Sequence, residues 1–249
     1  MRQELIRRGY DSINKYLYIG AYVVLLLLVE LPYYVEYTQV TGFHPMILGV
    51  SLEQDSVDIR AILMYLIPWV FLHMVVGSYL YIESTRRECY VLPRMKSWKK
   101  WFVKHIVSVF RKVFGLIITY AIITYILILI FIPNSDWIVV SLMVGKGLVL
   151  TMGLACLFST IQTFIILAFR SITVSYCLVM VIQCFSIILG SRYIAGAKYM
   201  IGNWSMYCRS GEMSEYGFSF SYALGFEILC ILIILVAAHH VVKMMRKNG

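Results

Sequence analysis

Long apolar runs, separated by short polar stretches, make up most of the chain. Six of these runs approach the length that a transmembrane helix needs, about 20 residues. They predict spans over residues 17–37, 59–82, 113–132, 148–169, 172–190 and 223–242. Because a bilayer offers the backbone no water as a hydrogen-bond partner, we expect every run to be helical, even where β-branched residues are frequent.

The stretches between and before these runs predict three further elements. Residues 1–16 place apolar side chains roughly on one face at helical spacing, which indicates an interfacial amphipathic helix rather than a cleaved signal peptide. Residues 83–112 form the one long charged segment, and we expect a cytoplasmic helical loop there. Residues 191–222 are rich in Gly, Ser and aromatic residues, which predicts an external re-entrant or cap segment. The expected fold is therefore an all-α integral membrane protein with one domain over residues 1–249.

Two details within the runs carry their own predictions. The apolar region that begins at Trp137 is too long for one straight span, and Gly145-Lys146-Gly147 is expected to divide it into an irregular outer part and a span. Glu30 is expected towards the outer end of the first span, where a carboxylate is less costly than at the bilayer centre.

Composition and charge agree with a membrane protein. The chain is 61% hydrophobic and 14% charged, whereas a soluble domain has about 25% charged residues. The net charge of +9 is concentrated near both termini and in residues 83–112, and Lys and Arg favour the cytoplasmic side. We therefore expect both termini inside a cell membrane. With the charge explained in this way and no binding motif present, nucleic acid is excluded as a partner.

Motifs for catalysis and metal binding are absent from the sequence. It contains no GxxxxGK[ST] loop, no HExxH and no GxSxG, so neither enzymatic activity nor ATP binding by this chain is expected. The six cysteines lack metal-ligand spacing, and His239 and His240 point about 100° apart on a helix. The sequence therefore predicts no metal site and no resident cofactor.

Two stripes of aromatic and polar side chains are candidates for a substrate path. They lie at helical spacing on the second and fifth spans and comprise Tyr65, Trp69, His73, Tyr176, Met180 and Gln183. Gln162 and Glu227 are further polar residues inside predicted spans. Such residues line cavities and transport paths, and they also hold helices together. Both interpretations remain open at this stage.

The order of elements resembles the permease subunits of ABC-2 type transporters over essentially the whole chain. Two local stretches add to this resemblance. Residues 83–93, ESTRRECYVLP, look like the segment after the second span of that family, and residues 201–210, IGNWSMYCRS, look like the Gly-Asn-Trp pattern of small Gram-positive members. The resemblance implies that the first stretch is a coupling helix, which docks into an ATPase subunit.

Several residue roles and partners are implied by this resemblance. The coupling residues would be Arg86, Arg87, Glu88, Tyr90, Val91, Leu92, Pro93 and Arg94, although such a basic loop could instead rest on anionic lipid. Asn203, Trp204 and Arg209 would belong to an external gate, with cargo recognition as the alternative role of their segment. The partners would be two ATPase subunits carrying ATP and Mg and a second permease chain, as a homodimer.

The function implied is export of an amphipathic or hydrophobic substrate across a bacterial, Gram-positive cell membrane. A peptide toxin or antimicrobial peptide is the expected cargo, as in exporters of phenol-soluble-modulin-like toxins, with alternating access driven by the partner ATPase. The alternative is a stand-alone immunity protein that sequesters a bacteriocin without ATP. An intramembrane hydrolase is the weakest hypothesis, because the spans lack a catalytic set.

Overall fold

Six long helices form the structure, which is a computed structural model that describes residues 2–37, 46–50, 59–83, 98–132 and 137–247. The helices are α1 (Arg2–Tyr37), α2 (Ile59–Tyr81), α3 (Trp98–Phe131), α4 (Trp137–Phe169), α5 (Ile172–Arg192) and α6 (Phe220–Lys247). Each contains a stretch long and apolar enough to cross a membrane. The prediction of six membrane-spanning helices is confirmed at this level.

The predicted division of the fourth apolar region is wrong, because α4 runs without interruption from Trp137 to Phe169. Gly147 does not break the helix, and its lack of a side chain allows close packing against Leu48. A Cβ at this position would lie 2.8 Å from a methyl carbon of Leu48, on the neighbouring 3-10 turn Met46–Leu48. The neighbouring Lys146 pairs with Glu212 on the surface.

The third helix begins much earlier than the sequence predicted, because residues 98–112 continue directly into the span instead of forming a loop. Apolar side chains follow a helical spacing there, and Trp101, Phe102 and Ile106 are buried against Leu167 and Ala238. Lys100, Lys104 and Arg111 are exposed. The charged residues therefore form the polar face of an amphipathic helix and do not interrupt it.

Helix α4 lies at the centre of the bundle, where it contacts α2, α3, α5 and α6, while α1 packs against α2 and α3. Apart from Arg192 and His240 near the helix ends, the large side chains that are exposed on the described parts of α5 and α6 are mainly apolar, as expected where helices face lipid.

Residues 193–219, which we call the cap, connect α5 to α6. They fold as three short 3-10 helices, Ile194–Tyr199, Ile201–Asn203 and Tyr207–Arg209. Residues 202–210 are all buried, and the cap packs against α5 and α4. It therefore covers the end of the bundle at which α5 ends and α6 begins.

Candidate functional site

An aromatic column on α2 forms the inner wall of the candidate site. Tyr65, Trp69 and His73 follow one another at four-residue spacing, so they share a face of the helix. None of them is more than 2% exposed. The indole of Trp69 stacks on the His73 ring, with 6.0 Å between centroids, and Phe158 of α4 meets both rings edge-on. The predicted stripe on the second span therefore faces the interior of the bundle.

A two-way hydrogen-bonded pair joins this column to α4. Gln162 donates from Nε2 to the backbone oxygen of His73 at 3.2 Å, and its Oε1 lies 3.2 Å from His73 Nδ1. Because Oε1 can only accept, the Nδ1 atom carries the hydrogen and Nε2 of the neutral ring is left as an acceptor. Within the described part of the chain, that Nε2 has no hydrogen-bond partner.

Gln183 brings α5 into the same site. Its side chain is buried, and neither amide atom has a hydrogen-bond partner among the described residues. Its amide lies near enough to the His73 ring for a hydrogen-bonding interaction, outside ideal geometry. Polar side chains from α2, α4 and α5 thus converge, and the Nε2 atom of His73 and the amide of Gln183 are left without a hydrogen bond of full geometry. Buried polar atoms without partners are uncommon, because each costs about 1–3 kcal/mol.

The other members of the fifth-span stripe do not join this cluster. Tyr176 and Met180 are only half-buried, whereas Gln183 on the same helix is fully enclosed. The structure therefore unites Tyr65, Trp69, His73 and Gln183 in the interior and leaves the remaining two partly on the surface. Their assignment to a substrate path stays a prediction.

The upper end of the column is bonded to the cap. The hydroxyl groups of Tyr65 and Ser205 are 2.7 Å apart. On the other side, the Thr151 hydroxyl of α4 donates to the backbone oxygen of Ser205 at 3.4 Å. The cap thus reaches into the bundle and meets the first residue of the aromatic column.

Arg209 is the centre of the cap, and its side chain is 1% exposed. Its guanidinium donates to Asn203 Oδ1, Ser191 Oγ and the backbone oxygen of Val50, each at 2.7 Å, and to the backbone oxygen of Ile187 at 3.4 Å. Burial lowers the pKa of this guanidinium from its ordinary value, yet arginine stays charged in proteins. Among the described residues, the cation is therefore held by neutral oxygen atoms.

The two other residues of the predicted gate are fixed within the same segment. Asn203 donates from Nδ2 to the backbone oxygen of Ala197 at 3.0 Å, and the Trp204 indole donates to that of Lys198 at 2.9 Å. The Trp204 ring also packs edge-on against Phe226 of α6, with centroids 5.3 Å apart. Asn203, Trp204 and Arg209 are thus brought together as predicted by their proximity in sequence, and their role as a gate stays a prediction.

A second, exposed contact holds the cap to α4. Glu212 forms an ion pair with Lys146 and accepts a 2.8 Å hydrogen bond from the Tyr207 hydroxyl. These hydrogen bonds from Lys146 and Tyr207 hold the pKa of Glu212 below its usual range. The neighbouring thiol of Cys208 is different, because burial raises its pKa to about 12, so it stays protonated and unreactive at neutral pH.

Glu30 lies in the last third of α1, and its place towards the outer end of a span stays a prediction. Its side chain is fully buried between helices. The Thr124 hydroxyl of α3 lies within hydrogen-bond distance of its carboxyl group. The partner is 94 residues away in sequence, so no local pattern pointed to it.

The proposed coupling residues lie outside the described residues, so their positions are not part of the site described above. They are Arg86, Arg87, Glu88, Tyr90, Val91, Leu92, Pro93 and Arg94.

Among the described residues, no group of three or more His, Cys, Asp or Glu side chains could hold a metal ion. No protein-family model, curated protein or solved structure matches this chain.

Proposed function

We propose that this chain is the permease subunit of an ATP-driven exporter of the ABC-2 type, and that it moves an amphipathic or hydrophobic substrate. The observation that supports the proposal is the convergence of His73, Gln162 and Gln183 inside the bundle, where His73 Nε2 and the Gln183 amide lack a hydrogen bond of full geometry. Polar groups inside membrane helices are costly and commonly line a substrate or ion pathway.

The chemistry of this cluster suits a peptide substrate. Gln183 offers both a donor and an acceptor, as a peptide group does, and the adjacent rings of Trp69 and Phe158 offer apolar surface. An amphipathic peptide toxin or antimicrobial peptide presents both kinds of group. The substrate would enter when the helices separate in an alternating-access cycle.

The orientation in the membrane follows from charge. The positive-inside pattern favours both termini and residues 83–112 on the cytoplasmic side of a bacterial cell membrane. The cap then lies outside, where it would serve as a gate, and residues 1–16 would lie on the inner leaflet. Residues 83–112 would include the coupling helix.

Energy would come from partner subunits, because this sequence has no phosphate-binding loop. Two ATPase subunits carrying ATP and Mg would bind a pair of identical permease chains. The apolar side chains of Tyr90, Val91 and Leu92 would fill a groove of the ATPase, with the surrounding arginines at the rim.

The first test is purification of the tagged chain in mild detergent from its native host. We expect an ATPase with a phosphate-binding loop in stoichiometric amount. A chain that purifies alone, and that confers peptide resistance in cells lacking every candidate ATPase, would contradict the proposal and support the immunity alternative.

The second test separates coupling from folding. Changing Tyr90, Val91 and Leu92 together to Asp is expected to abolish substrate-stimulated ATP hydrolysis while the protein still reaches the membrane. Lys96→Gln, in the same segment but outside the apolar triplet, is the matched control and is expected to retain stimulation. Full stimulation in the triple variant would count against docking through this segment.

A further inference from the structure

A second polar contact, separate from the candidate path, lies between α1 and α3. Glu30 of α1 is 0% exposed. Thr124 of α3 places its Oγ1 atom 2.9 Å from Glu30 Oε1 and 3.0 Å from Oε2. One hydroxyl thus bridges both oxygen atoms of the carboxyl group at hydrogen-bond length.

This bridge is informative because a threonine hydroxyl has only one hydrogen. Thr124 can donate one full hydrogen bond, to one carboxyl oxygen. The second contact becomes a full hydrogen bond only when the other carboxyl oxygen carries a proton and donates it to Oγ1. A neutral carboxyl group can therefore make both contacts as full hydrogen bonds, whereas an ionised one can only share the single hydroxyl hydrogen between its two oxygen atoms.

The described residues around Glu30 offer no compensating positive charge. Its ionisable neighbours are tyrosines: Tyr22 and Tyr34 on α1 and Tyr120 on α3, with Tyr65 of α2 beyond Tyr120. Among the described residues, no Lys, Arg or His forms an ion pair with it. An unpaired carboxylate buried in this way is strongly disfavoured, whereas a hydrogen-bonded neutral carboxyl group is not.

The tyrosine hydroxyl groups around Glu30 have unused capacity. The Tyr22 hydroxyl is buried and has no hydrogen-bond partner in the described part of the chain. The buried Tyr120 hydroxyl lies near enough to the Glu30 carboxyl group for a hydrogen-bonding interaction, outside ideal geometry. Tyr34 is engaged, since its hydroxyl donates to the backbone oxygen of Thr124 at 3.4 Å. The phenols of Tyr22 and Tyr120 can therefore donate to the carboxyl group if it loses its proton.

We propose that Glu30 and Thr124 form a proton-binding site, and that the bound proton holds α1 against α3. Loss of the proton leaves a buried negative charge, which weakens this contact until phenol hydroxyl groups or water reach the carboxylate. The site is distinct from the proposed substrate path and from ATP-driven coupling. It makes the contact between two membrane helices responsive to proton concentration.

Infrared spectroscopy of the full-length protein in lipid vesicles tests the protonation state directly. At neutral pH we expect the carbonyl stretch of a protonated carboxyl group that disappears in Glu30→Gln and changes frequency in Thr124→Val. Glu215→Gln, at an exposed glutamate of the cap, is the control and is expected to leave this band unchanged. A carboxylate stretch from Glu30 at neutral pH would overturn the proposal, as would a shift of that stretch when Na⁺ replaces K⁺, which would indicate a cation site.

The pH dependence of unfolding is a second measurement. If the native state holds a proton that the unfolded state releases, stability falls as pH rises. One such proton changes the ratio of folded to unfolded protein by about tenfold per pH unit.

We expect Glu30→Gln to remove this dependence and Glu215→Gln to keep it. An unchanged dependence in Glu30→Gln would refute the site. Glutamine mimics the neutral carboxyl group, so failure of this variant to fold would also count against it.

Discussion

The guanidinium of Arg209 donates a 2.7 Å hydrogen bond to the side-chain oxygen of Asn203, and both side chains are buried inside the cap. The same cation also bonds to Ser191 at the end of α5 and to Val50 before α2. One side chain thus joins three separate parts of the chain at one end of the bundle. The cap is therefore a folded part of the structure whose opening would require these bonds to break together.

Replacing Arg209 with Lys is expected to loosen the cap, because a lysine ammonium is a point charge that cannot match the planar array of acceptors. Loss of two charge-assisted bonds costs at least about 2 kcal/mol. We expect a melting temperature several degrees lower and faster proteolysis within residues 193–219. Arg192→Lys, at an exposed arginine nearby, is the control. Equal protease resistance in both variants would contradict a structural role for Arg209.

Gly190 allows the close approach of α5 to Asn203, which gives a second prediction. An alanine Cβ at this position would lie 2.1 Å from Asn203 Nδ2, while Asn203 is held by Arg209 and by Ala197. Gly190→Ala is therefore expected to displace the cap, at a cost of about 1–3 kcal/mol.

The matched control for that variant is Gly115→Ala, because a Cβ at Gly115 meets nothing within 4 Å. Removing a glycine from an open helical position stabilises by about 0.5–1 kcal/mol. Thermal unfolding in detergent compares the two. A similar change in both variants would show that Gly190 has no special packing role.

The helices of this protein could be predicted from apolar run length, and so could some of their ends, such as Ile59, Phe169 and Ile172, but others could not. The true start of α3 at Trp98 was hidden by charged residues such as Lys100 and Lys104, which lie on the exposed face of the helix. At Gly147 a residue read as a break serves close packing against Leu48 instead. In both cases the tertiary contacts of the segment, rather than its local composition, decide whether the helix continues through it.

The candidate site shows the same limit. The spacing of Tyr65, Trp69 and His73 correctly placed them on one face, since helical geometry fixes that relation. The pairing of His73 with Gln162 depends on how α2 packs against α4, which no local pattern records. The fold of the cap was also beyond prediction, because 3-10 turns lack a hydrophobic period.

Gln162 and Gln183 differ in a way that separates structural from functional roles. Gln162 is bonded to His73 in both directions, whereas the Gln183 amide makes only a contact of poor hydrogen-bond geometry with the His73 ring. Gln162→Leu is therefore expected to lower stability by about 1–3 kcal/mol. Gln183→Leu is expected to leave stability unchanged or raise it, while reducing peptide export.

Melting temperature and peptide efflux from vesicles, measured on the same preparations, check this prediction. A destabilisation by Gln183→Leu equal to that of Gln162→Leu would mean that Gln183 is a structural residue. Full efflux activity in a stable Gln183→Leu variant would remove it from the proposed path.

The contact of Glu212 with Lys146 and Tyr207 should make the outer edge of the cap sensitive to acid. Because the pKa of Glu212 is lowered in the folded protein, the stabilisation is present above the ordinary glutamate pKa and is lost as pH falls through the lowered value. We expect proteolysis of the cap to accelerate across that acidic range in the wild type. High salt should have a similar but weaker effect, since the ion pair is exposed.

Glu212→Gln should already show the faster proteolysis at neutral pH and little further change in acid, whereas Glu215→Gln should behave as the wild type. Identical acid profiles for Glu212→Gln and the wild type would show that another group controls the cap, because the variant would respond to acid without the carboxylate at position 212.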